Sequence, residues 1–244
     1  MYIIYEVKRM KNAPYKNKYF SVVGDSISTL EDFNPDGYKV FYCGERQDIA
    51  DIYSPEDTWW GKVISHFGGK LLVNASWSGS WVAKLPDRDE LFPSGCSDER
   101  TSCLHRDGIT PDVIIVYLGT NDFMFGVSPA YEGNIQILKD QSFSYSYGKM
   151  LDKIKRNYPY AEIFCCTLCT AYMEKDPTFR FSEERWNSFM EDFNAIIRNT
   201  AVEKGLHLVD LYAHGTAYDS IEGCHPTAKG METLAELMIK EIEK

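Results

Sequence analysis

A serine that directly follows a short apolar run is the first residue of this chain that could perform chemistry. The run at residues 19–23 leads into Gly24-Asp25-Ser26, so Ser26 falls at the end of a predicted strand. A serine hydroxyl becomes a useful nucleophile only when a neighbouring base activates it. The sequence must therefore supply a base, and histidine is the side chain best suited to that task near neutral pH.

The candidate base is His225, which lies in the segment EGCHP at residues 222–226. Glu222 precedes it by three residues, so a short loop can bring the carboxylate to one ring nitrogen while the other nitrogen faces Ser26. This is the order of groups in the hydrolytic triads. Asp219 is a second candidate for the acid, and an arrangement without a side-chain acid is also open.

Acyl transfer also requires hydrogen-bond donors for the negative charge that develops on the reacting carbonyl oxygen. Asn121 occurs in GTND at residues 119–122, and Gly79 occurs in SWSG at residues 76–79; each block follows an apolar run. The Asn121 amide and the N–H groups of Gly79 and Ser26 would supply donors from adjacent strand ends. Asn121 could otherwise be a plain turn residue, and Gly79 could simply supply a positive φ.

The elements that must position these residues are predicted from apolar patterns. Strands are expected at residues 19–23, 71–75, 113–118, 162–167 and 207–211, and helices at residues 57–67, 142–157, 183–204 and 229–243. Several of the strand runs are continuously apolar, as in parallel strands covered on both faces. Alternating strands and helices predict a mostly parallel sheet, whose ligand site lies beyond the carboxyl ends of its strands. The loops at 27–56 and 84–111 follow such ends and form either its walls or plain surface.

Length and charge limit the classes of function. The 244 residues contain no linker, which predicts one domain over residues 1–244. The formal net charge of −10 argues against nucleic acid as a partner. The longest apolar runs fall well short of the roughly 18 residues that a membrane span needs. The apolar stretch at residues 2–5 is too short for a signal peptide, so a cytoplasmic location is expected.

The cysteines do not indicate a metal site or a disulfide framework. Their number, seven, is odd, so a complete set of disulfides would leave one over. Cys96, Cys103 and His105 are the best candidates for zinc ligands, but their spacing fits no common site. We therefore expect inert thiols and no metal.

Four of these blocks together resemble those of the GDSL/SGNH esterase–lipase superfamily. The blocks are GDS at 24–26, SWSG at 76–79, GTND at 119–122 and the HP at 225–226, and the resemblance extends from about Phe20 to Met231. It implies an α/β fold of the flavodoxin-like, three-layer α/β/α type with a five-stranded parallel sheet. It also implies an esterase that works through an acyl-enzyme without metal or other cofactor.

The resemblance also assigns roles by position. It makes Ser26 the nucleophile and His225 the general base, with Gly79, Asn121 and the Ser26 N–H as the oxyanion hole. The family usually has an aspartate three residues before the histidine, and Glu222 departs from that pattern. Glutamate is longer by one methylene and could still reach the ring.

The substrate expected from the sequence is a small-molecule ester with a short acyl group. Aromatic residues in the first long loop make an acetylated carbohydrate a fair candidate; they are Tyr38, Phe41, Tyr42 and Tyr53. The alternative from another class is a flavin-binding module, because the loop GDSISTLE is rich in hydroxyls that could cradle a phosphate. Against it, residues 34–37 (NPDG) interrupt the helix that such a loop should enter. An acyltransferase or a ligand-binding protein on the same fold also remains open, and the oligomeric state is not indicated.

Overall fold

A computed structural model describes residues 14–85, 93–130 and 139–244 of the chain. The strands are β1 (Tyr19–Gly24), β2 (Lys70–Asn74), β3 (Val113–Tyr117), β4 (Glu162–Cys166), β5 (Ala171–Tyr172), β6 (Glu184–Arg185), β7 (Ser188–Phe189), β8 (His207–Val209) and β9 (Tyr218–Asp219). The helices are α1 (Glu45–Ala50), α2 (Trp59–His66), α3 (Asp98–Ser102), α4 (Thr120–Met124), α5 (Phe143–Asn157), α6 (Met190–Lys204) and α7 (Ala228–Ile242).

The central sheet has five strands in the order β2-β1-β3-β4-β8. Every neighbouring pair in it is parallel. This is the strand order of flavodoxin-like folds, and it confirms the predicted fold class. The order also makes β2, β1 and β3 neighbours, so the three segments that follow them meet at one edge of the sheet.

Two helical layers cover the sheet because its strands are apolar on both faces. All five residues of β3 are buried, as expected for the middle strand of a covered parallel sheet. On one face the strands pack against α2 and α7, through buried residues that include Trp60, Val63, Leu234 and Met238. On the other face they pack against α5 and α6, through buried residues that include Tyr147, Leu151, Phe193 and Ile197.

Several helix ends fall where the sequence predicts them. The Thr58 hydroxyl accepts a hydrogen bond from the N–H of Gly61, at 3.0 Å, and α2 begins directly after it. Ser142 precedes α5, and Gly205, with φ of +64°, ends α6. The five predicted strands and the helices α2, α5 and α7 all lie within two residues of their predicted bounds.

The helix predicted over residues 183–204 is wrong at its beginning. Residues 184–189 form an antiparallel hairpin of β6 and β7, and the helix starts only at Met190. Trp186 and Asn187 adopt φ values of +55° and +59°, which form the tight hairpin turn that asparagine favours. Trp186 fits the apolar spacing of the helix only by coincidence. Its side chain is exposed rather than packed in the core, and its indole donates to the carbonyl of Met124 at 3.1 Å.

The two long loops contain short helices rather than plain coil. The loop at 27–56 includes α1, and the loop at 84–111 includes α3. Residues 86–92 of the second loop and the apolar stretch at residues 2–5 lie outside the described residues. Among the helices that the structure describes, none is both long and apolar enough to cross a membrane.

Gly230 in α7 provides a test of how closely this helix docks against β9. A Cβ at this position would lie 2.0 Å from the carbonyl oxygen of Asp219, a backbone atom that cannot move aside cheaply. We expect Gly230→Ala to lower the melting temperature by several degrees. The matched control is Gly148→Ala in α5, where the nearest atom is Lys204 Cε at 3.8 Å. Alanine is favoured over glycine within a helix by about 0.5–1 kcal/mol, so the control should melt at the wild-type temperature or above it. Equal melting of both variants in circular dichroism would contradict the close docking.

Candidate active site

Ser26 lies just beyond the carboxyl end of β1, in a single 3₁₀ turn formed by Ser26–Ser28. Gly24 permits this tight exit, because a Cβ there would lie 2.7 Å from Ser28 Oγ and 2.9 Å from Ser76 Oγ. The chain can therefore leave the strand against the segment that follows β2. Ser26 retains 6% of its surface, so its hydroxyl is held in place but not sealed off.

The structure brings Ser26, His225 and Glu222 into one hydrogen-bonded chain. Ser26 Oγ and His225 Nε2 are 2.8 Å apart, and Glu222 Oε1 is hydrogen-bonded to His225 Nδ1. The same carboxylate oxygen accepts the backbone N–H of His225 at 3.1 Å. A neutral imidazole with its proton on Nδ1 donates to Glu222 and accepts from the serine hydroxyl. That arrangement is what activation of a serine requires.

Asp219, the second candidate for the acid, is engaged elsewhere. Its carboxylate accepts from the Thr227 hydroxyl at 2.7 Å and from the backbone N–H of Glu174 at 2.8 Å. These bonds fix the segment before α7. Glu222 is therefore the carboxylate that contacts His225, and its extra methylene does not prevent the contact.

Two buried tyrosines hold the loop that carries His225. The Tyr218 hydroxyl donates to the carbonyl of Cys224 at 2.7 Å, and the Tyr42 hydroxyl donates to the carbonyl of Pro226 at 2.8 Å. Burial raises the pKa of both tyrosines well above the ordinary value, so both remain proton donors. The backbone is thus fixed immediately before and immediately after the histidine.

The imidazole of His225 is also fixed by stacking. The ring of Phe41 lies parallel to it, with ring centroids 3.4 Å apart and an interplanar angle of 6°. The guanidinium carbon of Arg46 lies 4.5 Å from the centroid of the Phe41 ring. The sequence suggests Phe41 only as one of several loop aromatics, and this contact could not be derived from its position.

The candidate oxyanion donors lie on neighbouring turns. Gly79 adopts φ of +83° in the turn after β2, and Asn121 lies in the first turn of α4, after β3. The Asn121 Nδ2 donates to the carbonyl of Ser80 at 2.8 Å, which ties the two turns together. Among the described residues, the N–H groups of Gly79 and Ser26 donate to no protein acceptor. Unpaired donors at this edge are what a developing oxyanion needs.

Two buried aspartates brace the site: Asp25, which precedes Ser26, and Asp122, which follows Asn121. Asp122 accepts the backbone N–H groups of Val82 and Ala83 at 2.8 and 2.9 Å, and burial raises its pKa to about 7. Asp25 accepts the N–H of Ile27 at 3.0 Å. Burial raises the pKa of Asp25 to about 6, although this hydrogen bond and the nearby charge of His225 act in the opposite direction.

One cluster of described residues has ligand atoms close enough to one another to hold a cation. It consists of Glu222, Cys224 and His225, whose atoms lie within 4.8 Å of each other. The first and last of these are already hydrogen-bonded together. Burial raises the pKa of the Cys224 thiol far above its ordinary value, which disfavours the thiolate that a metal would require. The donor set therefore suits proton transfer better than metal binding.

The zinc candidates from the sequence have other hydrogen-bond partners. His105 Nδ1 lies 3.3 Å from the Tyr158 hydroxyl, and Cys103 Sγ lies 3.5 Å from the Arg100 carbonyl oxygen. Cys96 Sγ lies 3.5 Å from Ser94 Oγ. All seven cysteines are free thiols.

The residue near this site that sequence reasoning misses is Arg100. Its guanidinium is fully buried, and it hydrogen-bonds to Ala75 and Ser80 in the segment that carries Gly79. In the sequence Arg100 falls in the long loop at 84–111, where no helix is predicted. No sequence signal distinguishes it, because arginine is almost always exposed unless it is paired.

The raised pKa of Asp25 predicts how stability depends on pH. The folded protein holds this proton up to about pH 6, whereas the unfolded chain releases it near pH 3.9. The free energy of unfolding contributed by Asp25 is therefore full below about pH 4 and falls as the pH rises through that window. Asp25→Asn should therefore gain melting temperature relative to the wild type as the pH rises from about 4.5 to about 6.5, and the difference should stay level above that range.

The matched control for this measurement is Asp112→Asn. Burial acts to raise the pKa of Asp112, but its hydrogen bonds to Lys18 and the Tyr19 N–H bring it below the ordinary value. It is therefore ionised throughout the same range, and its melting difference should stay constant. A constant difference for Asp25→Asn as well would contradict the burial effect.

The comparisons with known proteins identify the family and the fold of the chain. The family model described as GDSL-like lipase/acylhydrolase matches residues 18–242. The fold resembles that of a proposed GDSL-like lipase from Bacteroides ovatus ATCC 8483, with a TM-score of 0.70, 23% identity, and coverage of 93% of this chain and 99% of that chain. None of the curated proteins matches the chain in sequence.

Two further solved structures share the fold at lower identity. One is a carbohydrate acetylesterase from Sinorhizobium meliloti, with a TM-score of 0.60, 16% identity, and coverage of 93% of this chain and 97% of that chain. The other is an aryl esterase from M. smegmatis, with a TM-score of 0.60, 18% identity, and coverage of 93% and 98%. Because the family model spans nearly all of the sequence, this chain belongs to the GDSL-like lipase/acylhydrolase family and is an ester hydrolase.

Proposed function

We propose that the protein hydrolyses small-molecule carboxylic esters through an acyl-enzyme on Ser26. The observation that carries the proposal is the hydrogen-bonded chain from Ser26 Oγ to His225 Nε2, at 2.8 Å, and from His225 Nδ1 to Glu222. A serine in such a chain has a base within reach of its proton and an acid that orients the base. On this geometry we assign Ser26 as the nucleophile, His225 as the general base and Glu222 as the orienting acid.

The reaction proceeds in two balanced halves. Ser26 Oγ attacks the ester carbonyl while His225 Nε2 takes the hydroxyl proton, and the carbonyl π pair moves onto the oxygen. When the tetrahedral intermediate collapses, His225 returns that proton to the departing alcohol and the acyl-enzyme remains. Water then repeats the sequence, losing a proton to His225 and releasing the acid as Ser26 regains its proton. Glu222 stabilises the imidazolium in both halves.

Hydrogen-bond donors at the strand ends would stabilise the negative charge of each tetrahedral intermediate. We assign the Ser26 N–H, the Gly79 N–H and the Asn121 amide as the oxyanion hole. The unpaired state of the two backbone donors among the described residues supports this assignment. The Asn121 amide now donates to Ser80 and would turn or share that bond when substrate binds.

For the substrate we propose a short acyl group, with an acetylated carbohydrate as the preferred class. Support comes from the aromatic residues of the first long loop, where Tyr38 stacks on Trp77 at 4.1 Å and Phe41 stacks on His225. Aromatic rings combined with polar edges suit sugars. The carbohydrate acetylesterase that shares the fold is consistent with this class.

The flavin alternative loses its supporting observation, because the hydroxyls of the loop after β1 are used within the protein. Ser28 Oγ accepts from Trp59 Nε1 at 3.1 Å. Thr29 Oγ1 donates to the Ser26 carbonyl at 3.0 Å. These groups do not point outward as a phosphate cradle.

Ser26→Ala and His225→Ala should each abolish most of the hydrolysis of p-nitrophenyl acetate. We expect kcat to fall by at least roughly 10³-fold in each, because the two groups act as a unit. The controls are Ser65→Ala and His66→Ala on α2, which should keep wild-type rates; His66→Ala also removes a contact with Glu243 at 2.8 Å, so its melting temperature can fall slightly. Near-wild-type activity in either site variant would contradict the assignment, and a series from acetate to octanoate would measure the acyl preference.

Glu222→Gln tests the acid that departs from the family pattern. The Glu222 side chain is 48% exposed, so solvent screens its charge, and we expect kcat to fall by about 10–10²-fold, less than for a buried acid. Asp219→Asn is the comparison. It should lower the melting temperature, because Asp219 accepts two structural hydrogen bonds, and it should change kcat less than Glu222→Gln does. A larger loss of kcat in Asp219→Asn than in Glu222→Gln would show that Asp219 orients the base.

A further inference from the structure

Arg100 in α3 is the most unusual charged residue that the proposed mechanism does not use. Its side chain and backbone are fully buried, which is rare for arginine and costly without compensation. Within the described part of the chain, no carboxylate lies within ion-pair distance of its guanidinium. The carboxyls of Glu99 and Asp25 act on it only through space.

Its compensation comes from neutral oxygens at the strand ends. The Arg100 Nη2 donates to the carbonyls of Ala75 at 2.9 Å and Gly24 at 3.3 Å. The Nη1 donates to Ser80 Oγ at 2.6 Å and to the carbonyl of Pro93 at 3.4 Å. One guanidinium therefore joins the end of β1 to the segment that follows β2.

These partners are next to the groups that the mechanism requires. Gly24 lies two positions before Ser26, and Ser80 directly follows Gly79. The carbonyl of Ser80 accepts the Asn121 amide at 2.8 Å. Each proposed oxyanion donor is thus close to a residue that Arg100 binds. Ser26 and Gly79 lie within two positions of such a residue in sequence, and Asn121 is hydrogen-bonded to one.

The planar guanidinium also packs against the aromatic pair of this edge. Its central carbon lies 5.7 Å from the centroid of the Tyr38 ring and 5.8 Å from that of Trp77. The two rings stack at 4.1 Å. Such contacts fix the orientation of the fork, which only arginine supplies.

We propose that Arg100 is a positioning residue for the oxyanion hole: it sets the distance between the turn carrying Ser26 and the turn carrying Gly79, and through Ser80 it sets Asn121. The inference rests on the proposed serine mechanism. Preorganised donors stabilise the oxyanion only if they keep their places while charge develops. Arg100 supplies that rigidity without touching the substrate.

The test compares Arg100→Met, Arg100→Lys and Ser80→Ala with the wild type, using p-nitrophenyl acetate and the melting temperature. Arg100→Met should lower kcat by about 10²-fold and change KM by less than about threefold, because the loss falls on the transition state. Arg100→Lys should recover part of the loss, because it keeps a donor but not the fork. Ser80→Ala, which removes one acceptor, should cost a few-fold in kcat.

A double variant separates positioning from general destabilisation. If Arg100 acts through the oxyanion donors, Arg100→Met combined with Asn121→Ala should lose little more kcat than the worse single variant. The matched control is Arg198→Met in α6, which breaks the contacts of Arg198 with Asp210 and Glu191. It should lower the melting temperature while kcat stays at the wild-type value.

The outcomes distinguish this inference from the proposed function. Wild-type kcat in a folded Arg100→Met, or fully multiplicative losses in the double variant, would overturn the positioning role while leaving the serine mechanism intact. If Arg100→Met does not fold, unchanged kcat in both Arg100→Lys and Ser80→Ala would overturn it equally. Ester hydrolysis that does not depend on Ser26 would overturn the proposed function, and the inference with it.

Discussion

The hydrogen bond between Ser26 and His225 spans 2.8 Å in space and 199 positions in sequence. Such a bond weakens steeply when its length or angle changes, so both of its ends must be held by the fold. The serine is held because β1 lies between two neighbouring strands. The histidine is held because Tyr42 and Tyr218 fix the carbonyls on either side of it. The docking of α7 at Gly230 then fixes the end of that loop.

The sequence predicts the frame of this arrangement well because its signals are local. Continuous apolar runs identify the strands, and parallel strands bring their carboxyl ends to one edge, so Ser26, Gly79 and Asn121 could be expected to lie near each other. The His225 pairing follows from chemistry, since a serine needs a base. Glu222 could be named as the acid but not separated from Asp219, because only the path of the loop decides which carboxylate reaches the ring.

The features that escape prediction are those set by tertiary contacts. The hairpin at residues 184–189 has the apolar spacing of a helix, and only its turn at Trp186 and Asn187 distinguishes the two. The sequence does not distinguish Arg100 from an exposed arginine, yet its guanidinium is buried and donates to the carbonyls of Gly24 and Ala75. Burial raises the pKa of both Asp25 and Asp122 at this edge, so ionising either one lowers stability, a usual cost of a preorganised site.

The stack of Phe41 on His225 has a consequence for the order of events in catalysis. With a parallel ring at 3.4 Å on one face, the imidazole cannot turn over or swing towards a second partner. In the proposed mechanism the same Nε2 therefore accepts each proton and donates it again from one fixed position. In that mechanism the departing alcohol and the incoming water use one position in turn, so water can attack the acyl-enzyme only after the alcohol has left that position.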